Sequence, residues 1–299
     1  MTDAARNYSI VGIHGLQPKP PMDVLRRGWL SALLEGLAKN HQMPFQGADL
    51  AFELVYWADW LGREPYATGK DPEPYIEADG EGPLLRYRDR WVDKAVTASL
   101  DALTHPIEWA DSQKSLDWIS RHTGVDQAAA LFLQLHFIDL STYYADEPKR
   151  MYLRGKLRDA LLAQKGKRMM LIAHSMGSIV AYDVLRALGK DNPDFEVSHF
   201  VTLGSPLGMP YVLHKIRDEN AAIRTPSAVR RWTNLADRRD HVAFDAHLAD
   251  DFDSNGHDVT VEDKLVINGY RPPKGKPTHH TIYGYLRTPE FTELVRAFI

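Results

Sequence analysis

The chain has 299 residues, no cysteine and a formal charge of −4, from 36 Lys and Arg against 40 Asp and Glu. An apolar share of 44% beside 25% charged residues is the usage of a globular protein with a large core, which excludes a disordered or fibrous chain. No basic excess exists to neutralise phosphates, so nucleic acid is not an expected partner. The missing thiols remove disulfides, thiolate zinc sites and cysteine nucleophiles together.

The opening MTDAARNYS has no apolar h-region, and no run approaches the roughly 18 apolar residues of a membrane span. The expectation is a cytoplasmic protein without integral membrane association. In chain order, YSIVGIHG (8–15) reads as a buried strand ending in a glycine turn, followed by the prolines 18, 20 and 21 and a helical pattern over 24–40. FELVYWAD (52–59) is a second predicted strand. A helix over 157–164, a strand over 168–175 and a helix over 176–189 follow, with Gly189 as the stop. Further strands are predicted at 197–206, 229–237 and 263–270, and a closing helix at 288–299. Apolar strands alternating with helices predict an α/β class with a mostly parallel sheet.

Residues 61–150 interrupt this rhythm. A Pro/Gly/Asp-rich loop leads into helical patterns at 84–103 and 126–139, with Trp91, Trp109, Trp118, Phe132 and Phe137. These aromatics suit packing of the insertion against the sheet, and as a group they also suit an apolar substrate pocket. The expectation is one domain over 1–299 with 61–150 as a helical cap or lid within it.

The chemistry is carried by Ala173-His174-Ser175-Met176-Gly177, set between an apolar strand and a clear helix. A serine on that turn has its Oγ lifted above the sheet, and the helix behind it offers free backbone N–H groups and a positive dipole end to a developing oxyanion. The pentapeptide departs from G-x-S-x-G only in having Ala173 first. Such a serine needs a base and an orienting acid, which on this kind of sheet follow in the order Ser, acid, His. Asp237 and Asp240 lie after the strand VRRWTNL, and His279 and His280 lie near the C-terminus, both where that order requires them.

These segments resemble the α/β-hydrolase superfamily, in particular its lipase-like branch. The likeness is carried by Ile13-His14-Gly15-Leu16, AHSMG, Gly204-Ser205-Pro206-Leu207, Asp240-His241-Val242 and His280-x-x-Tyr283, and it covers roughly 8–60 and 150–299. It implies an α/β-hydrolase fold, Asp240 as the triad acid (Asp237 being the alternative) and His280 as the base (His279 being the alternative). It also implies an oxyanion hole from the backbone N–H groups of Leu16 and Met176, with His14 and His174 as structural neighbours. The implied activity is a serine hydrolase that cleaves a carboxylic ester of a small or lipid-like substrate through an acyl-enzyme. A thioesterase, amidase or acyltransferase would use the same triad, and a non-catalytic binding protein on the same fold is the alternative of another class. Ser175 argues against the dehalogenases and epoxide hydrolases, which carry aspartate at this turn.

A second pattern, Asp251-x-Asp253-x-Asn255-Gly256 with Glu262 six residues on, matches a calcium loop in full. Asp258 stands where such loops want an apolar residue, and a strand pattern follows instead of a helix. An acidic solvated loop is the reading preferred, with a structural calcium ion as its alternative. No Walker loop, GxGxxG or histidine metal spacing is present, so neither cofactor nor metal is expected.

Overall fold

A computed structural model describes residues 7–16, 18–43, 50–59, 64–67, 69–79, 84–87, 139–243, 245–274 and 279–299. Among the described residues, six strands form one parallel sheet: β1 (Tyr8–Ile13), β2 (Phe52–Val55), β3 (Arg168–His174), β4 (His199–Leu203), β5 (Trp232–Ala236) and β6 (Val261–Leu265). Their order is β2-β1-β3-β4-β5-β6. The chain therefore steps from β1 to one side, returns, and continues from β3 to the other side. In such sheets the crevice at the carboxyl ends, where the order reverses, is where ligands bind. Here that point lies between His14, after β1, and Ser175, after β3.

Helices that flank the sheet are α1 (Met22–His41), α2 (Glu147–Ala163), α3 (Met176–Asp191), α4 (Pro210–Asn220), α5 (Ile282–Leu286) and α6 (Pro289–Phe298). They cover both faces, as a sheet buried on both sides requires. In β3, Met170 and Ile172 face the core shared with α1, α5 and α6, whereas Met169, Leu171 and Ala173 face the core shared with α2, α3 and α4. Eleven residues of α3 are buried, which explains why its pattern is apolar nearly all round.

Several predicted bounds shift. The second strand stops at Val55 and the last spans 261–265 instead of 263–270. Gly189 does not end its helix, which runs on to Asp191. A Cβ there would collide with Ser227 Oγ and lie 3.0 Å from Ala228 N, so the glycine allows close packing of α3 on the 226–229 loop. α2 begins ten residues before its predicted start, capped by Asp146, whose side chain accepts from Lys149 N at 3.1 Å. α4 was absent from the sequence reading.

Of residues 61–150, the described stretches 64–67, 69–79 and 84–87 lie against α1, the loop before it and α6. Tyr66 N donates to Lys19 O (3.0 Å), Ala78 N to Glu35 Oε1 (2.7 Å), Leu84 N to Asn40 Oδ1 (2.9 Å) and Tyr87 N to Glu290 Oε1 (3.1 Å). Residues 84–87 are not helical, in contrast to the predicted helix start. The remainder of the 84–103 pattern, residues 126–138 and all five aromatics noted above lie outside the described residues.

Candidate active site

β3 ends at His174, and the chain turns through Ser175 with φ 54° and ψ −134°. A side chain in that region costs about 1–3 kcal/mol and persists only when its surroundings hold it. They do so here at both peptide groups. Ser175 N donates to Leu203 O at 3.1 Å, and Ser175 O accepts from both the N–H (2.9 Å) and the Oγ (2.6 Å) of Ser178. Ser178 Oγ also pairs with Ser205 Oγ at 2.7 Å, tying the turn to the loop after β4. Small residues flank it for steric reasons: a Cβ on Gly177 would lie 2.6 Å from His14 O.

Ser175 is 1% exposed, and its Oγ has no hydrogen-bond partner among the described residues. The loop after β1 lies directly against it, since a Cβ on Gly15 would sit 2.5 Å from Ser175 Cβ and 3.0 Å from its Oγ. Among the described residues no hydrogen bond uses the backbone N–H of Leu16 or of Met176. Leu16 follows the Gly15 that lies against Ser175, and Met176 opens α3 directly after it, where the first N–H groups of a helix lack intrahelical partners.

His14 sets the shape of this loop. Its Nε2 accepts from Trp57 N (3.0 Å), so its Nδ1 carries the proton and donates to Gly15 O (2.7 Å). Burial, then the charge of Lys19, pushes its pKa down to about 3. His174 is likewise held neutral by burial and by the neighbouring His280, and its Nε2 pairs with His280 O at 2.7 Å. Both histidines are occupied with backbone carbonyls.

On the far side, His280 and Asp240 are brought together and Asp237 and His279 are not. His280 Nδ1 donates to Asp240 Oδ2 (2.8 Å), with Oδ1 at 3.0 Å. Asp240 also accepts from Val242 N (2.9 Å) and from the Tyr285 hydroxyl (2.6 Å). Burial works against its charge, but His280, Tyr285 and the Val242 amide outweigh it and hold the carboxyl below its ordinary pKa. Asp237 is saturated by Arg239, through Nε (2.9 Å) and Nη2 (2.6 Å), and by Asn268 N (2.7 Å). His279 Nδ1 instead pairs with Asn268 O at 3.2 Å. The His280 ring centroid lies 4.7 Å from that of His174, the planes tilted by 33°, and His174 is the residue preceding Ser175.

Tyr285 was missed by the sequence reading, which singled out Tyr283. The Tyr283 hydroxyl packs against Gly28, where a Cβ would lie 2.6 Å away, and so joins α5 to α1. The helical turn of α5 carries Tyr285, two residues on, back towards Asp240. A small cavity of about 30 Å³ lies beside the site between His14, Lys19, His174, Asp71 and Tyr283. A larger cavity, about 570 Å³ between residues 76–79 and 84–85 and the α5–α6 junction, touches none of these groups.

The calcium-like pattern does not converge on a common centre. Asn255 Nδ2 donates to Pro226 O and Val229 O (both 3.0 Å), its Oδ1 accepts from His257 N and Val259 N, and Glu262 pairs with Arg231 at 2.7 Å. No group of acidic and histidine side chains suited to a metal ion occurs among the described residues. Nor is any described helix long and apolar enough to cross a membrane.

Residues 144–216 match the family model of lecithin:cholesterol acyltransferase, a span that runs from α2 through the Ser175 turn into α4. A comparison with curated proteins finds no match. The matched family indicates an enzyme of the lipid esterase and acyltransferase type. With its all-parallel sheet and flanking helices, the chain is an α/β-hydrolase-fold protein, similar around its serine turn to the lecithin:cholesterol acyltransferase family.

Proposed function

We propose that the protein is a serine hydrolase that cleaves a carboxylic ester of a lipid-like substrate, with Ser175 as nucleophile, His280 as base and Asp240 as acid. The observation that carries this reading is the 2.8 Å contact of His280 Nδ1 with Asp240 Oδ2, made beside a serine held at positive φ. Pairing Nδ1–H with the carboxylate leaves Nε2 as the basic nitrogen.

In the reaction His280 Nε2 takes the Ser175 proton as Oγ bonds to the carbonyl carbon. The N–H groups of Leu16 and Met176 receive the resulting oxyanion. The proton passes to the departing alcohol, the C–O bond breaks, and an acyl-serine remains. Water, deprotonated by His280, then attacks this ester and releases the acid and free Ser175. The Ser–His hydrogen bond is not made in this structure, and such contacts commonly tighten only once substrate is bound.

Within this reading the chain is one domain over 1–299, with 61–150 as the insertion that shapes the acyl pocket, acting in the cytoplasm without cofactor. Transfer of the acyl group to an alcohol instead of water uses the same intermediate, and the matched family favours it as the second reading. Stopped-flow release of chromophore from p-nitrophenyl esters of graded chain length tests the proposal. A burst equal to the enzyme concentration, strongest for medium or long chains, is expected. Folded protein without burst or turnover, with and without detergent, would leave a binding protein on this fold. Adding a long-chain alcohol then separates hydrolysis from transfer.

A further inference from the structure

Oδ2 of Asp240 receives two hydrogen bonds, from His280 Nδ1 (2.8 Å) and from the Tyr285 hydroxyl (2.6 Å). The same hydroxyl accepts the N–H of Asp237 at 3.1 Å. Tyr285 is fully buried on α5, and His280 itself leads into that helix through Thr281. The hydroxyl is thus held between the end of β5 and the acid, on the oxygen that also orients the imidazole.

We propose that Tyr285 is a positioning residue of the reaction, one that fixes the Asp240 carboxylate and withdraws part of its negative charge from His280. The inference rests on the hydrolase reading given above. A carboxylate oxygen sharing its density with a second donor stabilises a neighbouring imidazolium less than an oxygen bonded to the imidazole alone. Burial, and then the adjacent Asp240, raise the Tyr285 pKa far above the ordinary value, so the group acts as a neutral donor throughout the working pH range. The other ionisable groups facing this pair are His174 at the end of β3, His14 at the end of β1, Lys19 in the loop beyond it, and Asp237 with Arg239 after β5. His14 and His174 are held neutral, and Asp237 is neutralised by Arg239 at 2.6 Å. None of them substitutes for the Tyr285 hydroxyl on Oδ2.

The test is the pH profile of kcat/KM for a soluble ester, with wild type, Tyr285→Phe, and a variant carrying 3-fluorotyrosine at 285 alone. Tyr285→Phe removes the donor, so the acid limb is expected to move up by about 0.5 pH unit, with about fivefold loss at the optimum and little change in KM. The fluorinated hydroxyl is a stronger donor in the same volume, and the limb is expected to move down. Because the fluorinated chain is nearly isosteric, it carries the test if Tyr285→Phe fails to fold. Limbs coinciding with that of active wild type overturn the role of Tyr285 and leave the hydrolase reading standing. A wild type that neither turns over esters nor reacts at Ser175 overturns both.

Discussion

His14 and Trp57 stack with ring centroids 4.9 Å apart and planes 4° from parallel, while Trp57 N–H donates to His14 Nε2 and Trp57 Nε1 to His14 O. The chain after the edge strand β2 thereby sets the tautomer of a histidine in the loop after β1. The Nδ1–H so produced pins Gly15 O, and in a planar trans peptide the following N–H, that of Leu16, points the opposite way.

Replacing His14 by Ala should therefore release an oxyanion donor without touching the nucleophile. We expect kcat to fall roughly 10- to 100-fold with KM little changed. Labelling of Ser175 by a phosphonate should slow but persist. An unchanged kcat in a folded His14→Ala protein would show that the loop keeps its shape without the histidine.

Gly204 lies at φ 55°, and a Cβ on it would be 2.7 Å from Asp240 Oδ2 and 3.2 Å from His280 Nδ1. Gly204→Ala combines backbone strain with a collision at the acid–base contact. Activity should drop by about 10²-fold or more, with far-UV circular dichroism preserved. A variant within threefold of wild type would mean that the pair tolerates displacement.

Asp183, buried in α3, accepts from Tyr143 OH (2.6 Å) and lies against Arg150 (2.9 Å) and Arg154 (2.7 Å). Arg150 in turn pairs with Glu219 of α4 at 2.6 Å. Removing the central charge leaves two guanidinium groups facing one another in a largely dry site. Asp183→Asn should cost about 3 kcal/mol, read as a lowered urea midpoint at constant slope. A change under about 0.5 kcal/mol would place the network among weak surface pairs.

Asp251 has its pKa raised to about 6, by burial first and then by Asp245, Asp250 and Asp263, and its Oδ2 is buried without a hydrogen bond. A raised carboxyl pKa favours the folded state while the group is protonated. The contribution is complete below the ordinary carboxyl pKa of about 3.9, and is lost as pH climbs through about 6. Asp251→Asn should accordingly raise Tm at pH 7.5 and lose most of that advantage near pH 4.5. A pH-independent difference in Tm would remove Asp251 as the titrating group.

The serine turn was legible because every local signal agreed: an apolar strand, small neighbours and an apolar helix behind it. The preference for Asp240 over Asp237 rested on a family resemblance alone, for both follow β5; the folded chain pairs Asp237 with Arg239 and Asp240 with His280. The early turns of α2 escaped because EPKRMYLRGK is polar, its burial resting on Arg150 and Leu153. Gly189 misled because a glycine needed for close packing looks in sequence like one that ends a helix. Tyr285 escaped because its value lies in reach across the sheet, which spacing from His280 does not encode. β6 is an edge strand with the half-exposed pattern VEDKL, so the apolar run just after it drew the predicted strand too far along.

The most direct test of the central claim is the intact mass of wild type, Ser175→Ala and Asp240→Asn after a fluorophosphonate. One adduct is expected on wild type, none on Ser175→Ala, and a much slower adduct on Asp240→Asn. No adduct on folded wild type, or an adduct that survives in Ser175→Ala, would contradict Ser175 as the activated nucleophile.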